Sequence, residues 1–420
     1  MQVGIDAIHA YSSRCAMDVR TLFEARGLDL ARFDNLKMRQ KSVAAPWEDP
    51  VTQAVNAARP IVAALSEEEK QSIETLIVAS ESGLDFGKSL ATYVHDHLGL
   101  SRNCRCFEVK QACYGATAAL QMAAHMVAAG GPRSPRALVI STDMAADIHG
   151  HILVSNHDAN DNYAEPSLGT GAVAMLVSAS PRVLAIDLGA SGLYSFEVMD
   201  ACRPLPGREA GDPDGSLLAY MDCLGNCVQS YVARVEGADL ARDFAYLVFH
   251  TPFAGLVSSA HKRVMRGAFG RDQAALQADF ERRVAPSIYF PSLAGNLYSG
   301  SLYLALCSLL SVVERDDAFR IGLFSYGSGC SSEFYSGVVR SGAPARVRAL
   351  GMTDALDRRA LLSIEEYERL SAATLAVGFG TRDAKIDVSI ARDLYTKAFE
   401  GRGLLVLDRI EGFHRKYRWS

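Results

Sequence analysis

Lys110-Gln111-Ala112-Cys113-Tyr114-Gly115-Ala116-Thr117 leads straight into an alanine-rich run that continues to Ala129. Alanine and leucine favour helix. Apolar residues recur on nearly every side of this predicted helix, so it belongs between two covering layers and not on a surface. A second stretch of the same kind, Leu302 to Val313, follows Asn296-Leu297-Tyr298-Ser299-Gly300-Ser301. The cysteine stands where the first helix begins. Unpaired N–H groups at a helix start stabilise a thiolate and lower the thiol pKa. They can also hold the oxyanion of a thioester intermediate.

Working outward, the two halves of the chain repeat one plan. Ile73-Glu74-Thr75-Leu76-Ile77-Val78-Ala79-Ser80 reads as a strand ending at Glu81, and Phe244-Ala245-Tyr246-Leu247-Val248-Phe249 as one ending at His250. After each apolar helix comes a further strand, Arg136 to Asp143 in one half and Arg320 to Gly327 in the other. One more apolar run follows each, Ala172 to Val177 and a weaker Val347 to Gly351. Short strands alternating with helices indicate an α/β fold. The matching order predicts a five-layered αβαβα arrangement of two duplicated halves, residues 1–180 and 181–420. Leu205 to Ser216 reads as a loop. Glu81 and His250 then lie at strand ends, Cys113 and Asn296 at helix starts. Catalytic groups of α/β proteins gather at such ends.

Composition narrows the function. The chain has 420 residues, 49% hydrophobic and 22% charged, enough for a large core. No uncharged apolar run reaches the roughly 18 residues that suggest a membrane span. Met1 to Ala7 lacks the basic and apolar regions of a signal peptide. Nine cysteines in a chain of this length fit a reducing cytoplasm better than a disulfide framework. A net charge of −5 argues against a broad nucleic-acid footprint. Basic residues still cluster at Lys37, Arg39 and Lys41, and at Lys262, Arg263, Arg266 and Arg271. Such groups are either solvated surface or a landing place for a phosphate or an acidic partner.

Other signals carry little. Gly169-Thr170-Gly171 is a fragment of a dinucleotide loop without the rest of the motif. His149, His151 and His157 fit no metal-binding helix face. Cys104 with Cys106, and Cys223 with Cys227, lack a second matching pair, so no metal is expected. Ser363-Ile364-Glu365-Glu366 is a capping box opening a late helix.

Four segments together carry a family resemblance. Ala79-Ser80-Glu81-Ser82-Gly83-Leu84-Asp85, Gln111-Ala112-Cys113-Tyr114, Phe249-His250-Thr251-Pro252-Phe253 and Phe324-Ser325-Tyr326-Gly327-Ser328-Gly329 resemble the hydroxymethylglutaryl-CoA synthase family of the thiolase-like superfamily. The likeness runs from the first strand to the tail Phe413-His414-Arg415-Lys416-Tyr417. Phe86-Gly87-Lys88-Ser89-Leu90, Ser101-Arg102-Asn103-Cys104-Arg105 and Met199-Asp200-Ala201-Cys202-Arg203-Pro204 look more like its polyketide β-branching branch. So does Phe253 to Ser259, which lacks the lysine-bearing segment of the mevalonate-pathway enzyme.

The resemblance implies an acyltransferase that works on groups carried by the phosphopantetheine of acyl carrier proteins, with CoA esters possible and no cofactor of its own. Cys113 takes an acetyl group from a donor carrier. Glu81 removes a methyl proton from it, and the enolate attacks the β-ketone of an acceptor carrier. His250, titrating near neutrality, serves as donor to the developing alkoxide. Asn296 binds the acceptor or places His250, and hydrolysis leaves a 3-hydroxy-3-methylglutaryl-type product. Ser328 supplies a backbone N–H to the thioester oxygen, Tyr163 lines the cavity, and Arg32, Lys262 and Arg266 dock the carrier. The same resemblance implies a cytoplasmic homodimer in antibiotic-type polyketide biosynthesis. Rival readings are the primary-metabolism synthase using acetyl-CoA and acetoacetyl-CoA, a ketosynthase of the same superfamily, a non-catalytic carrier-binding scaffold and a cysteine hydrolase.

Overall fold

The computed structural model describes residues 2–131, 134–145, 153–154, 164–205 and 208–420. Nine strands form one large mixed sheet: β1 Val3–Ser12, β2 Ile73–Ala79, β3 Arg105–Val109, β4 Arg136–Met144, β5 Thr170–Ser178, β6 Leu184–Ser195, β7 Tyr246–Phe249, β8 Phe319–Gly327 and β9 Ser331–Val339. Their order across the sheet is β7-β8-β9-β6-β1-β5-β4-β2-β3. The two sequence halves are joined where β1 pairs with β6, over only Val3↔Ile186, Gly4↔Ala185 and Ile5↔Leu184. A Cβ on Gly4 would lie 2.0 Å from the Leu184 carbonyl oxygen, so the seam closes only on a glycine.

Eight helices bear on the site: α1 Leu30–Leu36, α2 Pro50–Ala63, α3 Leu90–Leu98, α4 Gly115–Ala129, α5 Pro213–Arg234, α6 Ala254–Phe269, α7 Ser301–Val312 and α8 Ile364–Ala376. Local sequence sets their ends. Asp49 and Thr52 form a capping box ahead of α2, with Pro50 in its first turn. Ser89 caps α3, which stops at Gly99 in the left-handed conformation. Ser363 and Glu366 cap α8 reciprocally, as the sequence predicts.

Strand alternation sorts the core into layers. Ile77, Val139 and Val173 on one side, and Ile321 and Leu323 on the other, enclose α4 and α7 through Ala116, Leu120, Leu302 and Leu306. Leu76, Val78, Leu138 and Ile140 face the opposite way, onto α2 and α3. Leu247, Phe249, Phe324 and Phe334 face α5 and α6. Each fully buried leucine here contributes about 1.5–3 kcal/mol. Thr117 ties the middle together: its Oγ1 lies 2.8 Å from the Tyr303 hydroxyl and donates to Ser325 Oγ at 2.8 Å.

Two sequence expectations fail. The apolar run Val347 to Gly351, expected to match Ala172 to Val177, forms no strand: Ala343–Arg348 is helical, with a proline in its first turn, and Ala349 and Leu350 form the turn after it. The strand after β8 is instead β9, whose serines and Glu333 disguised it. Leu205 to Ser216 is not a plain loop either, since Arg208–Gly211 pairs with Ala201–Leu205 and α5 begins at Pro213.

Gly169 and Gly171, the false dinucleotide signal, serve packing. A Cβ on Gly169 would sit 2.1 Å from the Ala294 carbonyl oxygen, and one on Gly171 would sit 2.6 Å from that of Tyr11. Gly169 N–H also donates to the Asn296 carbonyl at 3.0 Å. Gly169→Ala should therefore destabilise the fold by about 1–3 kcal/mol, read as a lower urea midpoint. Gly131→Ala, where no atom lies near but φ is +58°, should cost less.

Candidate active site

Cys113 sits one residue before Tyr114, the N-cap of α4, in a tight turn. Tyr114 N–H donates to the Gln111 carbonyl at 3.0 Å and Gly115 N–H to that of Ala112 at 3.1 Å. Ala112 is held at φ +43°, a left-handed conformation that costs roughly 1–2 kcal/mol for a non-glycine residue. The turn delivers Cys113 Sγ to within 3.5 Å of Glu81 Oε1. Both residues keep some accessible surface, yet protein surrounds their reactive atoms.

Asp143, at the end of the neighbouring strand β4, fixes the Glu81 turn. Its Oδ1 accepts from Glu81 N–H at 2.7 Å and from the Ser82 and Ser80 hydroxyls at 3.2 and 3.3 Å. Its Oδ2 accepts from Ser299 at 3.2 Å. Arg203 donates to the Glu81 carbonyl at 3.1 Å, pairs with Glu209 and lies 4.5 Å from the Tyr298 ring centre. Tyr298 in turn donates to Glu209 at 2.8 Å. Sequence reasoning missed Asp143 and Arg203 as site groups. Both lay inside quoted motifs, one at a strand end matching that of Glu81, the other in Met199 to Pro204.

Asn296 reaches the site through the same region. Its Oδ1 accepts from Tyr298 N–H at 2.9 Å and from Ser301 Oγ at 2.6 Å. The amide NH₂ end is therefore left to donate. Its side chain closes a turn onto the N–H two residues on and does not cap the following helix. The segment is seated against the Cys113 turn, because a Cβ on Gly115 would meet Ser299 Cβ at 3.9 Å.

His250 follows β7, which runs parallel to β8. Its N–H donates to the Phe324 carbonyl at 2.8 Å, and its carbonyl accepts from Tyr220 at 2.8 Å. The backbone is fixed while the side-chain Nδ1, buried, finds no hydrogen-bond partner among the described residues. A buried orphan nitrogen is an open recognition point.

The turn after β8 closes on the cysteine. A Cβ on Gly327 would lie 2.5 Å from Tyr114 N and 2.6 Å from the Gln111 oxygen. In that turn Gly329 N–H is bonded to Asp200 at 2.8 Å and Cys330 N–H to the Phe196 carbonyl at 3.1 Å. Those two amides are spoken for. Tyr163 lies outside the described residues, as do His149, His151 and His157. Arg32 and Arg266 are exposed and Lys262 half-buried, on α1 and α6. These helices touch, with a Cβ on Gly255 meeting the Asn35 oxygen at 1.8 Å.

Electrostatics overturn two sequence expectations. Burial pushes the Cys113 thiol well above its usual range, and the nearby Glu81 and Asp143 carboxylates push it further. The helix start does not win. Burial also lowers His250 to about 3, so it is a neutral imidazole at physiological pH and not a group titrating near 7. Burial raises Glu81 against the opposing pull of Arg203, and raises Asp143 to about 8 with help from Glu81.

One group among the described residues has metal-ligand character: His95, Cys104 and Cys106 present ligand atoms within 4.8 Å of one another. The sequence reading had no place for His95, which the α3–β3 packing brings in. His95 Nε2 is 2.8 Å from the Ser101 carbonyl, and both thiols are pushed up by burial.

Comparison with known proteins gives concordant results. Residues 272–374 match the hydroxymethylglutaryl-coenzyme A synthase C-terminal family, and residues 107–192 match 3-oxoacyl-[acyl-carrier-protein] synthase III. The polyketide biosynthesis 3-hydroxy-3-methylglutaryl-ACP synthase PksG of Bacillus subtilis is 47% identical, over 100% of this chain and 99% of its own. The hydroxymethylglutaryl-CoA synthase of Enterococcus faecalis is 34% identical, over 94% and 96%. The curacin biosynthetic pathway HMG synthase, crystallised in complex with acetyl donor-ACP, superposes with a TM-score of 0.95 at 47% identity, covering both chains fully.

Two measurements check the electrostatics. Glu81→Gln removes a carboxylate beside the thiol, so the pH midpoint of Cys113 alkylation should move down. Unchanged or raised, it would contradict the field described. His250, held below its unfolded pKa of about 6.5, binds a proton in the unfolded chain before the folded one. Stability should therefore be lost as pH falls from about 6.5 towards 3. His250→Gln should flatten that part of the urea-stability profile.

Proposed function

Because the chain belongs to the hydroxymethylglutaryl-CoA synthase family, we propose that it is the synthase of polyketide β-branching, working on acyl groups delivered by donor and acceptor acyl carrier proteins. The Cys113 Sγ to Glu81 Oε1 contact of 3.5 Å carries this reading. An acetyl group on that sulfur holds its methyl within reach of the carboxylate.

In the first step Cys113 Sγ bonds to the acetyl carbon, the donor thioester bond breaks, and the thiol proton ends on the departing pantetheine sulfur. Glu81, its basicity raised by burial, then takes a proton from the acetyl methyl. The enolate carbon attacks the β-ketone of the acceptor. His250, neutral, polarises that ketone by hydrogen bonding, as a lowered imidazole pKa allows. The proton taken by Glu81 ends on the new tertiary alkoxide. Asn296 and the Ser328 amide bind carbonyl oxygens of the two thioesters. Water finally cleaves the acyl–Cys113 bond, releasing the thiol and a free carboxyl group on the branched product.

The same reading assigns Arg32, Lys262 and Arg266 to carrier docking and Tyr163 to the cavity wall. Basic side chains on two helices that touch, α1 and α6, suit an acidic carrier and its phosphate. It also reads the three apolar layers as the five-layered αβαβα architecture of two duplicated halves, divided near residue 180, in a cytoplasmic homodimer. No helix among the described residues is long and apolar enough to cross a membrane.

Intact-mass analysis tests the reaction. Glu81→Ala should still gain an acetyl group on Cys113 from acetylated carrier, while condensation with acetoacetyl carrier is lost. Condensation that survives this change, or that runs from a malonyl donor, would point to a ketosynthase. A preference for acetyl-CoA and acetoacetyl-CoA over both carriers would assign the chain to primary metabolism.

A further inference from the structure

Where α3 gives way to β3, three metal-ligating side chains converge that the reaction above does not use. His95 lies in the last turn of α3, and Cys104 and Cys106 stand at the start of β3. Their ligand atoms all lie within 4.8 Å of one another. The two cysteines flank the exposed Arg105, so both point to the opposite face of the strand. There they pack against the core that holds Leu76, Val94 and Leu98. The sequence offered Cys104 and Cys106 no second cysteine pair; the fold supplies an imidazole instead.

Each group is set up to ligate. The Ser101 carbonyl lies 2.8 Å from His95 Nε2. A carbonyl only accepts, so Nε2 carries the hydrogen and the lone pair of the ring is on Nδ1. An imidazole oriented by a backbone carbonyl is the usual outer support of a metal-bound histidine. Cys104 Sγ and Cys106 Sγ make only long contacts with the Arg105 and Cys104 carbonyls, at 3.6 and 3.8 Å, which a metal bond readily replaces. Burial pushes both thiols up. Reactive redox cysteines are low-pKa groups, so this pair is poorly suited to that role. All three residues are half-buried, which leaves an ion a way in from solvent.

We infer that His95, Cys104 and Cys106 bind one zinc ion, with water in the fourth position. Two thiolates and an imidazole are the ligand set of a soft to borderline metal, and three protein ligands with an open place suit tetrahedral zinc. Sulfurs bound at about 2.3 Å to such an ion stand roughly 3.8 Å apart. The three atoms therefore need to close in by about 1 Å at most. Two Zn–S bonds form as the two thiol protons leave to solvent. Strand β3 is the edge of the sheet and pairs with β2 alone among the described residues. Its far end is tied to the start of α3, where Leu90 N–H donates to Glu108 Oε2 at 2.7 Å. Zinc ties the same helix and strand at their opposite ends. It thereby steadies the strand that leads into the Cys113 turn.

Full-length protein stripped with a chelator is titrated with Co²⁺, and the cobalt is then displaced with Zn²⁺. The expected result is one ion per chain, a thiolate-to-cobalt charge-transfer absorption, and its loss as zinc enters. Zinc should also raise the urea midpoint, as a ligand of the folded state does. Cys104→Ser and Cys106→Ser should each abolish or shrink the absorption and weaken zinc binding by about a hundredfold or more, beyond the loss of an outer partner. His95→Ala should weaken zinc binding while part of the thiolate absorption remains. Cys227→Ser, in a separate buried group, should leave the absorption and the zinc affinity unchanged, and circular dichroism reports that each variant is folded. In wild-type protein zinc should protect Cys104 and Cys106, and not Cys202, from alkylation, which needs no variant to fold. Wild-type protein without the absorption, folded serine variants that keep it in full, or alkylation of Cys104 and Cys106 that zinc does not slow would each overturn the inference.

Discussion

Cys113, Glu81 and Asp143 share a volume from which protein excludes most water, and the rest of the site is arranged around their mutual repulsion. Three groups that can each become anionic cannot all do so at once in such surroundings. Arg203 is the cation that offsets them, and its own place depends on Glu209 and the Tyr298 ring. Asp143 does a second thing that a mere charge would not. By accepting the Glu81 N–H and the Ser299 hydroxyl, it binds the Glu81 turn to the Asn296 segment.

This arrangement explains why a poorly ionised thiol is compatible with acyl transfer. Thiolate is the attacking form, but a permanent anion beside Glu81 would favour its protonated form, which cannot take up a proton. In the proposed reaction, acylation of Cys113 removes that charge problem and leaves Glu81 facing a neutral thioester. A neutral His250 completes the logic. In the proposed reaction it offers a hydrogen bond to the ketone without adding a cation that would draw down the carboxylate.

Much of this was legible in the sequence because it is written in local patterns. The apolar runs ending in Glu81 and His250 became β2 and β7, and the all-round apolar stretches became α4 and α7 at the centre. What escaped depends on partners distant in the chain. Asp143 acts through Glu81 and Ser299, 62 and 156 residues away. His95 meets Cys104 and Cys106 only because a helix and a strand pack together. The pKa shifts of Cys113 and His250 follow from burial, which a motif does not record. β9 went unread because its serines and Glu333 find their partners on other elements, with Glu333 accepting from Tyr114, Gln121 and Ser191 and Ser332 donating to the Tyr194 carbonyl.

The seam at Gly4 has a consequence for how the molecule is made. Strand β1 has one neighbour, β5, that ends at Ser178, and its other neighbour, β6, begins at Leu184. Nothing nearer in the chain can take either side of that strand's central register. Such late pairings are slow and leave backbone donors exposed in the meantime. Strand β1 therefore waits until residues 170–186 have been translated. Its docking then sets the moment at which the second half gains an edge to build upon.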